Sequence, residues 1–323
     1  MEKQFKILIS NEMHQTGIDI LKEKCEVLIA ESENDFQKKV KHADAIILIR
    51  SGDAFKNTIE KSPKLKVIAK HGVGLDKIDL LEAKKKGIPV IYTPDANSIS
   101  VAEHFIVLAL TLAKQMGKAN LKLRNGQWKF NPFDFLGVDL FGKTVGILGF
   151  GRIGRNVARI CHGGFGMNVL YYDEIKHTDS ESSYKAEQVE LETLFKKADF
   201  ISINLPLTKE TNGLVDAKYL RLMKPTSFII NVARGPIWKE SDLLVALKEG
   251  WIKGAGTDVF EKEPTAKDNP LFELDNFIGT PHNAAHTEES MRNASMMLAE
   301  DILAIFEGKS PKYPVPPCLY TSS

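Results

Sequence analysis

Three polar residues stand out by type and position in the last third of the chain: Arg234 in IINVARG, Glu263 in DVFEKEP and His282 in IGTPHNAAH. Each follows a short apolar run that reads as a buried strand or its exit. A guanidinium can hold a carboxylate bidentately and polarise a neighbouring carbonyl. An imidazole titrates nearest neutral pH, so His282 could deliver a proton to a carbonyl oxygen. A carboxylate beside it, with Glu263 as the candidate, would stabilise the imidazolium, raise its pKa and fix its tautomer. Singly, each has an ordinary structural alternative: an ion-pair partner, a loop acid, a satisfied histidine. Together they supply what reduction of a 2-oxo acid needs besides a hydride donor.

A place for that donor lies upstream. TVGILGFGRIG carries Gly149, Gly151 and Gly154 as G-x-G-x-x-G, after an apolar strand pattern and at the opening of the helical pattern RIGRNVARI. That context turns a weak motif into a phosphate site. Gly149 permits the tight turn, Gly151 lets backbone N–H groups approach a pyrophosphate, and Gly154 lets the helix press on the sheet. The helix N-terminus adds partial positive charge. NVLYYD then ends in Asp173, 19 residues past Gly154, near the ~20 expected for an acid that binds the ribose hydroxyls. A carboxylate there repels a 2′-phosphate and favours NAD over NADP, a preference that Lys176 and His177 nearby weaken. A second glycine pair, Gly72 and Gly74 in AKHGVGLDKID, lacks the third glycine and the helix opening; it could present bare N–H groups to an anion or form a tight turn.

These residues need a scaffold. Short β-branched runs alternate with amphipathic stretches, the rhythm of parallel α/β sheets. Strands are expected at Lys6–Ile9, Glu26–Ile29, Ala45–Ile49, Val67–Lys70 and Val90–Tyr92, then at Thr144–Leu148, Asn168–Tyr172, Phe200–Asn204, Ser227–Asn231, Gly254–Thr257 and Phe277–Gly279. A long helix is expected from about Ser100 to Arg124, so apolar at its start that it must be buried in a domain or subunit contact. A last helix over about Glu288–Glu307 has no strand after it and should pack back on the first sheet. The division is then a substrate domain of residues 1–98 and 287–323 and an inserted dinucleotide-binding domain of residues 99–286. Two crossings of this kind make a hinge that would open and close a cleft. The proline-rich tail KSPKYPVPPCLYTSS should be irregular.

Bulk properties narrow the class. The 323 residues suit two domains. A formal net charge of +1 gives no field for nucleic acid or a membrane surface. Three scattered cysteines, Cys25, Cys161 and Cys318, suggest neither a disulfide framework nor a metal site. The N-terminus lacks a signal-peptide core, and no window approaches a membrane span. A cytoplasmic protein is the expectation.

The segments VIAKHGVGLDKIDL, NSISVAEH, TVGILGFGRIG, NVLYYD, LPLTKET, INVARG, GTDVFEKEP and TPHNAAHT, in this order over nearly the whole chain, closely resemble the D-isomer-specific 2-hydroxyacid dehydrogenases. The resemblance implies an α/β fold of two Rossmann-like domains, the substrate domain flavodoxin-like, with NAD bound between them and a homodimer built partly on the helix from Ser100. It implies Arg234, Glu263 and His282 as the catalytic set. Cofactor contacts would come from Gly149, Gly151, Arg152, Ile153, Gly154, Asp173, Pro206, Thr211, Ala233 and Asp258. Substrate contacts would come from the amides around Val73 and Gly74, and from Ser98. Glu263 sets the chain apart from formate dehydrogenases of similar fold, which carry glutamine there. Asn204, Asn283 and His286 depart from commoner residues and leave the substrate open.

Arg50 exits a strand, and Lys70 and His71 precede the glycine pair. Facing the cleft, these cations could hold a second anionic group, which makes 3-phosphoglycerate and its oxo acid one candidate substrate pair. Hydroxypyruvate or glyoxylate is the alternative, and a small 2-oxo acid with an apolar side chain comes third. A phosphite-type dehydrogenase shares the same trio. An NAD-sensing corepressor-like binding protein is a remote rival, disfavoured because pure binding has no need of Arg234, Glu263 and His282.

Overall fold

Runs such as KILI, AIIL and VIAK are apolar at successive positions, so both faces of any strand they form must be covered. The computed structural model, which describes residues 4–49, 58–76, 78–129 and 131–320, bears this out. The chain divides into two compact units, Met1–Asn97 with His286–Ser323, and Ser98–Ala285.

In the first unit, β1 (Lys6–Ile9), β2 (Glu26–Ile29), β3 (Ala45–Leu48), β4 (Val67–Lys70) and β5 (Val90–Tyr92) form a parallel sheet in the order β2-β1-β3-β4-β5, the flavodoxin-like arrangement. Strand alternation divides its core. Leu8, Ile46 and Ile68 join Phe36 and Val40 on one face, where α2 (Glu33–Lys39) and α3 (Leu80–Lys85) follow α1 (Gln15–Lys24) in the chain. Ile7, Ile9, Ile47 and Val67 join Ile18 and Leu21 of α1 on the other. The C-terminal helix, Glu288–Phe306, packs there through Leu298, Ala299 and Ile302. The tail is less irregular than expected: Val315 N–H donates to Val90 O at 2.8 Å and Tyr92 N–H to Tyr313 O at 3.2 Å, continuing the sheet edge.

The second unit opens with α4 (Ser98–Ala113) and α5 (Met116–Arg124). The single long helix expected here is broken, with a 65° bend. The Ala113 carbonyl accepts from Val138 N–H at 2.8 Å, and Gly137 comes so close that a Cβ there would lie 2.5 Å from the same oxygen. Gln115 turns left-handed at φ +52. A tertiary contact thus caps a helix whose local sequence would continue it. Among the described residues no single helix is long and apolar enough to cross a membrane.

Then follow β6 (Thr144–Leu148), α6 (Arg152–Phe165), β7 (Asn168–Tyr172), α7 (Thr178–Tyr184), β8 (Ala186–Gln188), α8 (Leu191–Lys197), β9 (Phe200–Ile203), α9 (Ala217–Leu220), β10 (Phe228–Asn231), α10 (Glu240–Lys248), β11 (Gly254–Thr257) and β12 (Phe277–Gly279). All seven strands are parallel, in the order β12-β11-β10-β9-β6-β7-β8. This is the doubly wound nucleotide-binding order extended by one strand, and the order reverses at β6, where ligands of open α/β sheets bind. The edge strand β8, AEQ, was not expected; it carries neither β-branched nor aromatic residues. Val101, Phe105 and Leu108 of α4 bury against this sheet with Val157 and Ala158 of α6.

Candidate active site

The glycine loop leaves β6 through Gly149, whose φ of +88 belongs to the region glycine tolerates. A Cβ there would also lie 2.9 Å from the backbone of Asn204, which walls the turn. At Gly154 a Cβ would meet the Gly149 carbonyl oxygen at 2.2 Å, so the first turn of α6 lies directly on the loop. At Gly151 a Cβ would meet nothing within 4 Å; this glycine faces open space. It is also the N-cap of α6 and supplies no side-chain acceptor to the first turn, which opens with Arg152 and Ile153. Arg152 is exposed, whereas Ile153 packs partly into the core.

Asp173 follows β7 and turns back on the loop. Its Oδ2 accepts Phe150 N–H at 2.6 Å and its Oδ1 accepts Ile175 N–H at 3.0 Å. His177 Nε2 lies 3.9 Å from the same carboxylate, and Phe150 stacks on Tyr171. Each carboxylate oxygen retains a lone pair beyond these bonds. An open glycine, an uncapped 14-residue helix and a partly used acid therefore fit a dinucleotide's pyrophosphate and ribose.

The strand exits on the other side carry the trio. Asn231 ends β10 and grips the turn: its Oδ1 accepts Ala233 N–H at 3.0 Å and its Nδ2 donates to Arg234 O at 2.9 Å. Arg234 Nη1 donates to Ala233 O at 2.7 Å. Gly235 abuts the β11 exit so closely that a Cβ would lie 1.9 Å from the Phe260 carbonyl carbon. That contact brings the Arg234 loop alongside the Glu263 loop. Glu263 Oε1 accepts Phe260 N–H at 3.1 Å, and Oε2 lies 2.7 Å from His282 Nδ1. Partial burial alone would push the Glu263 carboxyl up, but the His282 hydrogen bond and charge, the Phe260 N–H and the Arg234 charge together hold it below its ordinary value. His282 itself sits at φ +53 without being glycine, a conformation costing on the order of 1–3 kcal/mol that persists only where its surroundings over-determine it. Asp258, 1% exposed, supplies that constraint by accepting Asn283 N–H at 2.9 Å and Ala284 N–H at 2.8 Å.

Other expected site residues belong to the same unit. The Thr211 hydroxyl closes its own loop on Pro206 O at 2.6 Å, and Ala233 is buried. Ser98 begins α4, where its Oγ accepts from Asn156 Nδ2 at 3.4 Å. In the first unit, Gly72 N–H donates to Thr93 Oγ1 at 2.8 Å, while among the described residues the N–H groups of Val73 and Gly74 donate to no protein acceptor. Lys70 is buried, and its Nζ donates to Ile49 O at 2.8 Å and Leu48 O at 3.4 Å. Burial, with the neighbouring Lys70 charge, lowers the His71 pKa to about 4, so the ring is neutral at neutral pH; it contacts Ser295 Oγ at 3.3 Å. Arg50 lies outside the described residues. Asn231 and Thr280 were not singled out from sequence; a polar Asn at the end of a buried strand was the available signal.

A doubly wound sheet with this loop and these strand exits defines a dinucleotide-dependent α/β enzyme. The family profile of the D-isomer specific 2-hydroxyacid dehydrogenase NAD binding domain matches residues 106–284. A glyoxylate reductase of Pyrococcus furiosus is 39% identical over 316 residues, covering 95% of this chain and 94% of that protein. A D-3-phosphoglycerate dehydrogenase of Methanocaldococcus jannaschii is 42% identical over 308 residues, 94% of this chain but 58% of that protein. The crystal structure of a D-lactate dehydrogenase from Aquifex aeolicus with NAD and lactic acid has a TM-score of 0.82 at 31% identity, covering 94% of this chain and 96% of that one. The chain belongs to the D-isomer specific 2-hydroxyacid dehydrogenase family. It is an NAD-dependent oxidoreductase acting on a 2-hydroxy or 2-oxo acid.

Proposed function

We propose that Arg234, Glu263 and His282 carry the reaction, and that the preferred substrate is a small unphosphorylated 2-oxo acid of the glyoxylate or hydroxypyruvate type. The observation that carries the catalytic reading is the 2.7 Å contact of His282 Nδ1 with Glu263 Oε2. A carboxylate only accepts, so it fixes a proton on Nδ1 and leaves Nε2 to serve the substrate. In reduction the imidazolium gives its Nε2 proton to the carbonyl oxygen, which becomes the hydroxyl, and the ring stays neutral with Nδ1–H held by Glu263. NADH, when bound, supplies the hydride to C2. Arg234 holds the substrate carboxylate and orients the ketone; in the first unit, the amides of Val73 and Gly74 are candidate donors to an anion. Ser98 is a further substrate contact in this reading. Gly149, Gly151, Arg152, Ile153 and Gly154 receive the pyrophosphate, and Asp173 the ribose. Pro206, Thr211, Ala233 and Asp258 line the nicotinamide end.

The substrate reading rests on the cations. Lys70 is buried with its Nζ donating to two carbonyls, and His71 is neutral, which disfavours both as ligands for a phosphate. The similarity to a D-3-phosphoglycerate dehydrogenase supports the phosphorylated alternative, in which Arg50 would take the phosphate. Assembly as a homodimer is supported by apolar side chains on α4, α5 and the connection after them: Ile99, Val107, Leu121, Trp128, Phe133 and Phe141 are 53–79% exposed. A reducing, cytoplasmic setting accords with the buried free thiols of Cys25 and Cys161. The test is NADH oxidation with glyoxylate, hydroxypyruvate, phosphohydroxypyruvate and pyruvate in parallel. We expect the first two to show the highest kcat/KM; a phosphohydroxypyruvate value tenfold above both would reverse the substrate assignment. NADH binding without turnover on any acid would refute the catalytic one.

A further inference from the structure

His104 lies on α4, with its side chain 16% exposed. Its Nε2 is 2.8 Å from Thr280 Oγ1 and 3.6 Å from Asp258 Oδ1. The Thr280 hydroxyl in turn donates to Asp258 Oδ1 at 2.6 Å, with a longer contact of 3.3 Å to Thr257 O. Proton counting fixes the direction. Thr280 has one hydroxyl hydrogen, and the short contact to an obligate acceptor takes it. Towards His104 the hydroxyl can then only accept, so Nε2 must carry a hydrogen. Burial lowers the His104 pKa, with Asp258 partly opposing it, and a neutral ring on Nε2–H is consistent with that count.

The far end of this chain of bonds is the segment that carries His282. Asp258 accepts Thr280 Oγ1, Asn283 N–H and Ala284 N–H, bracketing a residue held at φ +53. The Nε2–H bond anchors the Thr280 oxygen; without it the Thr280 side chain is held less firmly, and its 2.6 Å bond to Asp258, one of three that Asp258 makes to the bracket, loosens. We infer that His104 is a positioning residue: through Thr280 and Asp258 it holds the Thr280–Ala284 segment that sets the His282 ring against Glu263. This rests on the reading of His282 as the proton-carrying group.

Three variants test it: His104→Leu, which removes the donor; His104→Gln, whose amide can donate from about the Nε2 position; and Thr280→Val, which removes the relay. In His104→Leu and Thr280→Val, kcat for 2-oxo acid reduction should fall about ten- to hundredfold, since small misplacements of a reacting group cost this much. NADH affinity should stay within about twofold, and the isotope effect with deuterated NADH should grow. His104→Gln should recover most of the rate. NMR of the His282 ring needs no turnover: its signals should move in His104→Leu and stay in place in His104→Gln. Unmoved ring signals in His104→Leu, or equal losses in the Leu and Gln variants, would overturn the inference. A wild-type enzyme that reduces no 2-oxo acid, yet shows the shift, would remove only the proton-donor reading.

Discussion

Replacing Glu263 with glutamine isolates the carboxylate's contribution, because the side chain keeps its shape and loses its charge. The contact to His282 Nδ1 is 2.7 Å, with the histidine side chain 48% and the glutamate side chain 37% exposed. A hydrogen bond to a charged partner contributes about 1.5–3 kcal/mol, and solvent screening at such exposure brings this to roughly 1–2 kcal/mol. At about 1.4 kcal/mol per tenfold, kcat for 2-oxo acid reduction should fall roughly 5–30-fold. The carbonyl oxygen of the new amide can keep the Phe260 N–H bond, now 3.1 Å. Its NH2 group then faces Nδ1, so the neutral ring must hold its hydrogen on Nε2. The assay is pre-steady-state NADH oxidation at saturating oxo acid, with NADH affinity measured separately by fluorescence. The pH dependence of stability gives a second reading. Glu263 is held below its ordinary value of 4.5, so its stabilising contribution is present above about 4.5 and is lost as pH falls through the lowered pKa. The glutamine variant should lack that component of acid destabilisation. A kcat within twofold of wild type would refute the pairing as a catalytic device. So would a rate loss that only tracks lost NADH binding.

Other substitutions probe the scaffold. Gly154→Ala places a methyl 2.2 Å from the Gly149 oxygen; overpacking of about 1–3 kcal/mol should lower Tm by roughly 3–10 °C and weaken NADH binding, read by thermal melting and fluorescence titration. A Tm within 1 °C of wild type would refute the close approach. Asp173→Ser should weaken NADH binding roughly 10–100-fold, the loss of a charge-assisted hydrogen-bond acceptor, and raise the NADPH-to-NADH ratio of kcat/KM; an unchanged ratio would remove Asp173 as the discriminating acid. His71 is lowered from 6.5 to about 4, so the unfolded chain binds that proton first. Its stabilising contribution is complete above pH 6.5 and declines as pH falls from 6.5 to about 4, by at most ~1.4 kcal/mol per pH unit. His71→Gln should flatten denaturant midpoints over that interval, and an unaltered slope would contradict the lowered pKa.

What could be read from the sequence was what one residue type decides by itself. Strands such as Ala45–Leu48 must be covered on both faces whatever else the chain does, and their apolar runs say so. A glycine at position 154 admits an approach so close that any Cβ there would lie 2.2 Å from the Gly149 oxygen. The break after α4 was hidden because LAKQMGKAN has ordinary helix propensity, and the deciding partner is Val138, far along the chain. The site divides in the same way. Arg234, Glu263 and His282 were legible as a cation, an acid and a titratable ring, each at a strand exit. Their restraints were not, because those depend on partners such as His104 and Thr280, 176 residues apart. The unusual backbone of His282 left no glycine to announce it; an Asp258 carboxylate accepting from the backbone at 283 and 284 imposes it. The charge of Lys70 was visible, but its burial under two carbonyl bonds was not, and that burial decides whether the charge can reach a ligand. Substrate choice, more than the reaction itself, therefore depends on contacts that only the folded chain makes.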